Sequence, residues 1–170
     1  MTDTIPHTAS TSFPRAGFRR RFGSWIYDLL IVIAIFMLSG YVCVALFVAL
    51  DAAGLIAITR SGFGIDWNAS HSAYKVAFNS WCVAWVCIFF VYFWAKKGQT
   101  LGMKAWRLRV QNQDGSLISK MSAIKRLVPT LLGLGSLIVL FDRKNKLSLQ
   151  DRLTNSEVVV LSLEANRGRL

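Results

Sequence analysis

The chain has few of the side chains on which most enzymes and metal proteins depend. It contains two His and three Cys among 170 residues. The cysteines, Cys43, Cys82 and Cys87, stand inside apolar runs without a CxxC or Cys/His grouping, so we predict structural thiols. His7 and His71 lack the spacing of metal ligands, and we predict neither a metal site nor a cofactor.

A recognisable set of catalytic side chains is also missing. The motifs supply no Ser/His/Asp set and no paired carboxylates, so we do not expect an enzyme. The string Gly98-Gln99-Thr100-Leu101-Gly102 lacks the spacing and the Lys-Ser/Thr pair of a phosphate-binding loop. We expect a turn that ends a helix near Gly98, with Gln99 and Thr100 available to hydrogen-bond a buried charge.

Charge is scarce and unbalanced. Only 17% of the residues are charged, against about 25% in an average soluble domain. Twenty basic and nine acidic residues give a net charge of +11. No nucleic-acid-reading motif accompanies this charge, and the basic residues stand beside hydrophobic segments, as in the cytoplasmic loops of membrane proteins. We therefore expect anionic lipid headgroups, rather than nucleic acid, as the partner of the basic residues.

Long apolar runs are what the chain has in place of charge. It is 54% hydrophobic, and the runs Trp25–Leu50 and Val76–Ala95 hold roughly 26 and about 20 residues, enough to cross a bilayer core. We predict an all-α membrane protein with two full transmembrane helices, at about 25–50 and 76–95. The first run is too long for a signal peptide, and the polar residues 1–14 before it are expected to form a flexible tail.

A third hydrophobic segment, at about 121–141, is harder to interpret. Its apolar core, Leu127–Phe141, has only about 15 residues and contains Pro129, Gly133 and Gly135, which is short for an ordinary span. Basic residues on both flanks and a central Gly-Leu-Gly favour a re-entrant helical hairpin that returns to the cytoplasm. A short tilted span that begins near Met121 is the alternative.

The distribution of basic residues predicts the orientation in the membrane. The stretch that follows the second run has a single acid, Asp114, and eight basic residues: Lys96, Lys97, Lys104, Arg107, Arg109, Lys120, Lys125 and Arg126. By the positive-inside rule this stretch is cytoplasmic, as is the N-terminus, and the connector Asp51–Lys75 lies outside. We expect a multi-pass protein of the plasma (inner) membrane.

Two short stretches are expected to be extended. Trp106–Val110 alternates apolar and basic residues, as a half-buried strand does, and the Asp114-Gly115 pair that follows is typical of a turn. Glu157–Leu161 is a second strand-like run. Neither is stable alone, so we expect the two to pair in a small cytoplasmic β-hairpin-like element.

Asp28 is the only charged residue in the first apolar run. A carboxylate inside a membrane helix is unfavourable without a partner or a wet cavity, so Asp28 is a functional-site candidate. Arg21 lies about two helical turns earlier on the same face, roughly 10 Å away, so we expect the two to have different partners. Burial favours a neutral Asp28 and a nearby Arg126 or Lys125 would favour its charged form, and the sequence leaves both open.

Four motifs in order resemble the RDD family of small membrane proteins, which is named for one arginine and two aspartates. They are Ala16–Asp28, Gly98–Gly102, Phe141–Arg143 and Leu149–Asp151. The resemblance extends from about Ala16 to Leu161 and implies a membrane domain at 15–163, followed by a tail at 164–170. The family's arginine and aspartates correspond to Arg21, Asp28 and Asp151, and Arg126 matches an arginine that commonly opens the third segment. Met103, Arg107 and Gln150 depart from the family pattern, and Gln150 replaces a frequent histidine.

The resemblance implies transport of an unidentified ligand, and cation/proton exchange through Asp28 is one form that this transport can take. The expected charge set is Arg21, Asp28, Arg126 and Asp151, with Gln99 and Thr100 as supporting polar residues. Two spans cannot enclose a pathway, so transport would require a homo-oligomer or the third segment. The alternative is a non-transporting membrane subunit or assembly factor, in which Asp28 with Arg126, or Arg21 with Asp151, forms structural ion pairs. Its basic cytoplasmic face would then bind lipid or a partner.

Overall fold

Two long helices dominate the fold. The computed structural model describes residues 13–62, 64–131, 138–140, 142 and 144–168. Helix α1 is Phe18–Ala52, with 35 residues, and α2 is Ser72–Lys96, with 25 residues. Both are long and apolar enough to cross a membrane. Each helix begins before its apolar run and includes polar residues ahead of it, such as Arg19 to Arg21 in α1.

Small residues bring α1 and α2 together. Ser39, Gly40 and Cys43 of α1 are buried, and a Cβ on Gly40 would lie 3.2 Å from the ring of Phe78 on α2. Trp81 of α2 donates from its indole nitrogen to the carbonyl oxygen of Ser39 at 3.0 Å. Such close approach is typical of helices that pack in a membrane, where small side chains let backbones meet.

The connector between the long helices contains a two-residue strand pair. Strand β1, Arg60–Ser61, pairs antiparallel with β2, Gly64–Ile65. Arg60 bonds to Asp51 at the end of α1, at 2.6 Å, and His71 caps the start of α2 by accepting from the Ala73 amide at 3.2 Å. His71 therefore has a local structural role.

The expected pairing of the two extended stretches is confirmed. Strand β3, Leu108–Asn112, runs antiparallel to β4, Ser156–Val160, with Val110 opposite Val158. The chain before α1 extends this sheet, since the Ala16 amide donates to Val158 and the Pro14 carbonyl accepts from Val160, both at 2.8 Å. The start of the first long helix is thereby attached to the last strand.

The described structure also contains four helices shorter than α1 and α2. They are α3 (Leu101–Ala105), α4 (Lys120–Leu131), α5 (Leu149–Leu153) and α6 (Leu163–Arg167). We expected a tail at 164–170, but its described part to Gly168 includes most of α6, where Asn166 accepts from Gln99 and donates to the Lys104 carbonyl. Of the predicted tail at 1–14, only Phe13 and Pro14 are described.

The third hydrophobic segment begins as an amphipathic helix. Helix α4 buries Ala123, Arg126 and Leu127, exposes Val128, and continues through Pro129. The predicted Gly-Leu-Gly break at 133–135 lies outside the described residues, and residues 138–140 are helical again.

The hydrophobic core lies at one end of the long helices. Side chains of α2, the β3–β4 sheet and α4 meet there, including Phe90, Trp94, Leu108, Val158 and Leu127. This core surrounds the polar cluster described next.

Candidate functional site

Asp28 is buried beneath the loop that follows α2. It is 5% exposed, and its Oδ2 accepts a hydrogen bond from the Thr100 hydroxyl at 2.6 Å. Its Oδ1 accepts from the Gly102 amide at 2.9 Å. Asp28 thus joins the first long helix to the start of α3.

The local sequence explains why this loop reaches Asp28. Gly98 directly follows the C-cap of α2 and has a φ of +69°, a conformation that glycine adopts without strain. The chain then reverses, and Thr100 caps α3 by accepting from the Met103 amide at 3.1 Å. Thr100 therefore bonds to the helix with one lone pair and to Asp28 with its proton.

Gly102 allows the backbone of α3 to lie directly against α1. A Cβ at this position would lie 2.4 Å from the Ser24 carbonyl oxygen and 2.7 Å from Oδ1 of Asp28. Both distances are shorter than any real contact, and one of them is to backbone. The last glycine of the Gly98–Gly102 string is therefore a requirement of the Asp28 site.

Gln99 hydrogen-bonds the neighbouring sheet and C-terminal helix, and no hydrogen bond joins it to Asp28. Its amide nitrogen donates to the Leu108 carbonyl at 2.7 Å and to the Asn166 side chain at 3.0 Å. Of the two supporting residues that the sequence suggested, Thr100 bonds to a buried carboxyl group and Gln99 bonds to neutral groups.

Asp151 is the centre of a second polar cluster. It is 1% exposed, and its two oxygens each bind one arginine at 2.7 Å, Arg21 on Oδ2 and Arg126 on Oδ1. The Ser148 amide adds a hydrogen bond of 3.1 Å to Oδ2, because Asp151 stands in the first turn of α5. Three elements distant in sequence, α1, α4 and α5, are tied together by this carboxylate.

The two arginines are almost fully hydrogen-bonded. Arg21 also donates to the carbonyls of Ala16 and Lys146, each at 3.0 Å. Arg126 also donates to the hydroxyls of Thr154 and Ser156. Its guanidinium carbon lies 5.9 Å from the ring centroid of Trp94, within the range of a cation–π contact.

The electrostatics of the two clusters differ. Burial opposes ionisation of Asp151, but the Arg21 and Arg126 guanidiniums outweigh it and hold the pKa of Asp151 below its ordinary value. That cluster has two positive charges and one negative. Asp28 receives hydrogen bonds from neutral donors only, and among the described residues no cation forms an ion pair with it.

A cavity of about 60 Å³ is lined by residues of both clusters. Its lining includes Asp28, Arg21, Trp94, Arg126 and Gln150. Three buried polar atoms of this lining have no hydrogen-bond partner among the described residues: the indole nitrogen of Trp94, Nε of Arg126 and Oε1 of Gln150. A bound water needs about 10–15 Å³ and two or more polar partners, so the cavity has the room and the groups to hold water or a small ion.

The structure brings the four predicted charged residues into one region. Of the two ion pairs suggested above, Arg21 with Asp151 is formed and Asp28 with Arg126 is not. Arg126 binds the same carboxylate as Arg21, rather than Asp28.

The sequence analysis did not identify Trp94 and Gly102 as residues of the site. For the Thr100 cap, the available signal was the residue type, since threonine is among the preferred residues at a helix N-cap. In the described part of the chain, no group of three or more His, Cys, Asp or Glu could hold a metal.

Comparison with known proteins gives one result. The sequence model of the RDD family matches residues 15–155, a range that contains both clusters. Comparisons with curated proteins and with solved structures gave no match.

Proposed function

The chain belongs to the RDD family of membrane proteins, and on that premise we propose that it exchanges a small cation for protons across the membrane. Asp28 is the group that would bind the proton and the cation in turn. Thr100 and Gly102 would hold its carboxyl group in place. Arg21, Arg126 and Asp151 would form the rigid wall of the site.

The observation that carries this proposal is that Asp28 is buried and forms no ion pair with a described residue. A buried carboxylate without a cation is unfavourable, and it is relieved either by a proton or by a bound cation. Both arginines nearby are directed at Asp151, so neither forms an ion pair with Asp28 among the described residues. A site that accepts one positive charge at a time is what exchange requires.

The cavity beside Asp28 supports access by water and ions. The three polar atoms that lack a partner in the described part of the chain include one acceptor, Oε1 of Gln150, which would supply an oxygen ligand in addition to the Asp28 carboxylate. Oxygen atoms are the ligands that hard cations prefer. A hydrated cavity also gives a proton a route to a carboxyl group that is otherwise sealed.

The proposed topology has α1 and α2 as spans of the plasma membrane and both polar clusters at the cytoplasmic face. The basic stretch Lys96 to Arg126 supports this orientation. The β3–β4 pairing supports a cytoplasmic C-terminal segment, since both strands must lie on one side. A reporter fused after Leu161 tests this, and an external signal would contradict it.

Two spans do not enclose a pathway, so the exchange needs further walls. Apolar side chains of α1 and α2 are widely exposed, among them Leu30, Met37, Leu38, Val76 and Ile88. Such faces suit lipid or a second copy of the chain. We propose a homo-oligomer as the completed pathway.

Flux in sealed vesicles tests the exchange. Purified protein is reconstituted with a pH-sensitive dye inside, and a cation gradient is applied. Wild type should move protons in response, and Asp28→Asn should abolish the response. Asp51→Asn is the matched control, because it removes a carboxylate at the other end of the same helix and should retain the flux. Flux that survives Asp28→Asn would remove Asp28 from the mechanism.

The second candidate is a non-transporting membrane subunit, and the Asp151 cluster favours it. Three of the four charged residues satisfy one another, as expected of structural ion pairs. The basic stretch Lys96 to Arg126 would then bind lipid headgroups or a protein partner. Wild-type protein that gives no flux for Na⁺, K⁺ or Li⁺ gradients, while stably reconstituted, would favour this candidate.

A further inference from the structure

A groove of about 640 Å³ lies beside the first turn of α1, separate from the cavity at Asp28. It is lined by the beginning of α1, by residues 139–140 and by Lys146. The described lining has an apolar part and a basic part and no acidic residue: Phe18, Val139 and Leu140, and Arg19, Arg20 and Lys146. Its volume is within the range of small-molecule sites.

The three basic side chains of the groove have no partner within the described ranges. No ion pair or hydrogen bond from the side chains of Arg19, Arg20 or Lys146 is formed with a described residue. The neighbouring arginines differ, because Arg15 binds Glu157 and Arg21 binds Asp151. Three like charges around one groove repel one another unless an anion lies between them.

Lys146 is held at the groove by its backbone. Its φ is +54°, a left-handed conformation that non-glycine residues rarely adopt. The conformation is maintained by the Arg21 guanidinium, which bonds to the Lys146 carbonyl, and by the Asp142 carbonyl, which accepts from the Lys146 amide at 2.8 Å. The buried ionic cluster thus fixes one wall of the groove in place.

On the topology proposed above, the groove lies at the membrane interface. It lies where the basic first turn gives way to an apolar helix whose Phe22 and Ile26 side chains are exposed. A cationic rim directly beside an apolar wall matches a lipid with an anionic headgroup and an acyl chain. A free inorganic anion would leave the Phe18, Val139 and Leu140 wall uncovered.

We propose that this groove is a discrete binding site for one anionic phospholipid. The phosphodiester lies among Arg19, Arg20 and Lys146, and the first part of an acyl chain lies along Phe18 and Leu140. The site goes beyond the ion exchange proposed above and does not depend on it.

Native mass spectrometry of the full chain, released from detergent with phosphatidylglycerol and phosphatidylcholine in equal amounts, tests the proposal. Wild type should retain one phosphatidylglycerol in preference to phosphatidylcholine. The triple variant Arg19→Gln/Arg20→Gln/Lys146→Gln should lose at least about tenfold in affinity for it, because each cation near an anionic headgroup contributes roughly fivefold. Arg19→Lys/Arg20→Lys keeps the charge and should retain the lipid.

A matched triple variant distinguishes lipid binding in this groove from a general attraction of anionic lipid to a positively charged protein. Lys75→Gln/Lys144→Gln/Arg167→Gln removes the same charge from positions outside both the groove and the basic stretch Lys96 to Arg126, and should bind phosphatidylglycerol as wild type does. Equal losses in the two triple variants, or no preference for phosphatidylglycerol in the wild type, would overturn the proposal. Thermal unfolding of each variant in detergent shows that it is folded.

Discussion

The hydroxyl of Thr100 donates to the Asp28 carboxyl at 2.6 Å, across 72 positions of the sequence. The same hydroxyl caps α3, so one side chain determines both where the short helix begins and how Asp28 is held. The bond joins the two long helices through the loop that follows α2. It lies within the matched family region.

Thr100→Val is expected to weaken this junction. Valine has the shape of threonine without the hydroxyl, so both hydrogen bonds of the side chain are lost while the packing is kept. We expect the free energy of unfolding in detergent to fall by about 1–3 kcal/mol. Thr100→Ser retains the hydroxyl and should remain within about 1 kcal/mol of wild type. Equal losses for Val and Ser would show that methyl packing, rather than the hydroxyl, matters.

Asp151→Asn is expected to be the most damaging conservative substitution among the described carboxylates. It leaves the Arg21 and Arg126 guanidiniums buried without a counter-charge, and breaking a buried ion pair costs about 3–5 kcal/mol. Asp142→Asn is the control, because Asp142 pairs with a half-exposed Arg152 and solvent-screened pairs of this kind contribute little to stability. Chemical unfolding of the two variants in one detergent should give this order, and the reverse order would contradict the central role of Asp151.

The Asp151 cluster also predicts a pH dependence. The pKa of Asp151 in the folded protein lies below its ordinary value of 3.8, so the unfolded chain takes up the proton first as pH falls. Its contribution is therefore fully present above about pH 4 to 5 and is lost as pH falls toward the folded-state pKa. The difference in thermal unfolding midpoint between wild type and Asp151→Asn should be constant from about pH 7 to 5 and shrink below about pH 4. A difference that grows in acid would contradict this.

Gly102→Ala is expected to separate α3 from α1. The new methyl group would meet the Ser24 carbonyl oxygen, a backbone atom that cannot rotate away, so one helix must shift. Overpacking of this kind costs about 1–3 kcal/mol and should also reduce flux, because Oδ1 of Asp28 lies beside the same methyl group. Gly64→Ala is the control, since its Cβ would meet only Ser61 at an ordinary 3.8 Å. Unchanged stability in Gly102→Ala would contradict the close approach.

The long helices could be predicted from the sequence because hydropathy is a local property. The runs Trp25–Leu50 and Val76–Ala95 lie inside α1 and α2 and miss only their polar ends. The alternation in Trp106–Val110 predicted most of β3 for the same reason. The attachment of Pro14 and Ala16 to β4 uses backbone groups alone, so no side-chain pattern announced it.

The pairing of charges could be predicted only in part. Spacing along α1 showed that Arg21 and Asp28 need different partners, and they have them. It could not show that Arg126 binds Asp151, because that depends on how α4 and α5 pack, which is a tertiary property. The structural role of Gly102 depends on the distance between two backbones and has no signature in a single sequence.

The buried cluster has a consequence for the order in which the chain is made. Arg21 and Asp151 are 130 positions apart, so at about 5–20 residues per second a ribosome adds the aspartate roughly 7 to 26 s after the arginine. During that interval α1 can already be inserted, with Arg21 at its end and no counter-ion. Asp28 and Thr100 are only 72 positions apart, so the ribosome adds Thr100 sooner after Asp28. The nascent chain therefore closes its Asp28 junction first and its arginine cluster last, and a stop codon between Thr100 and Asp151 would leave a helix pair whose ionic end cannot close.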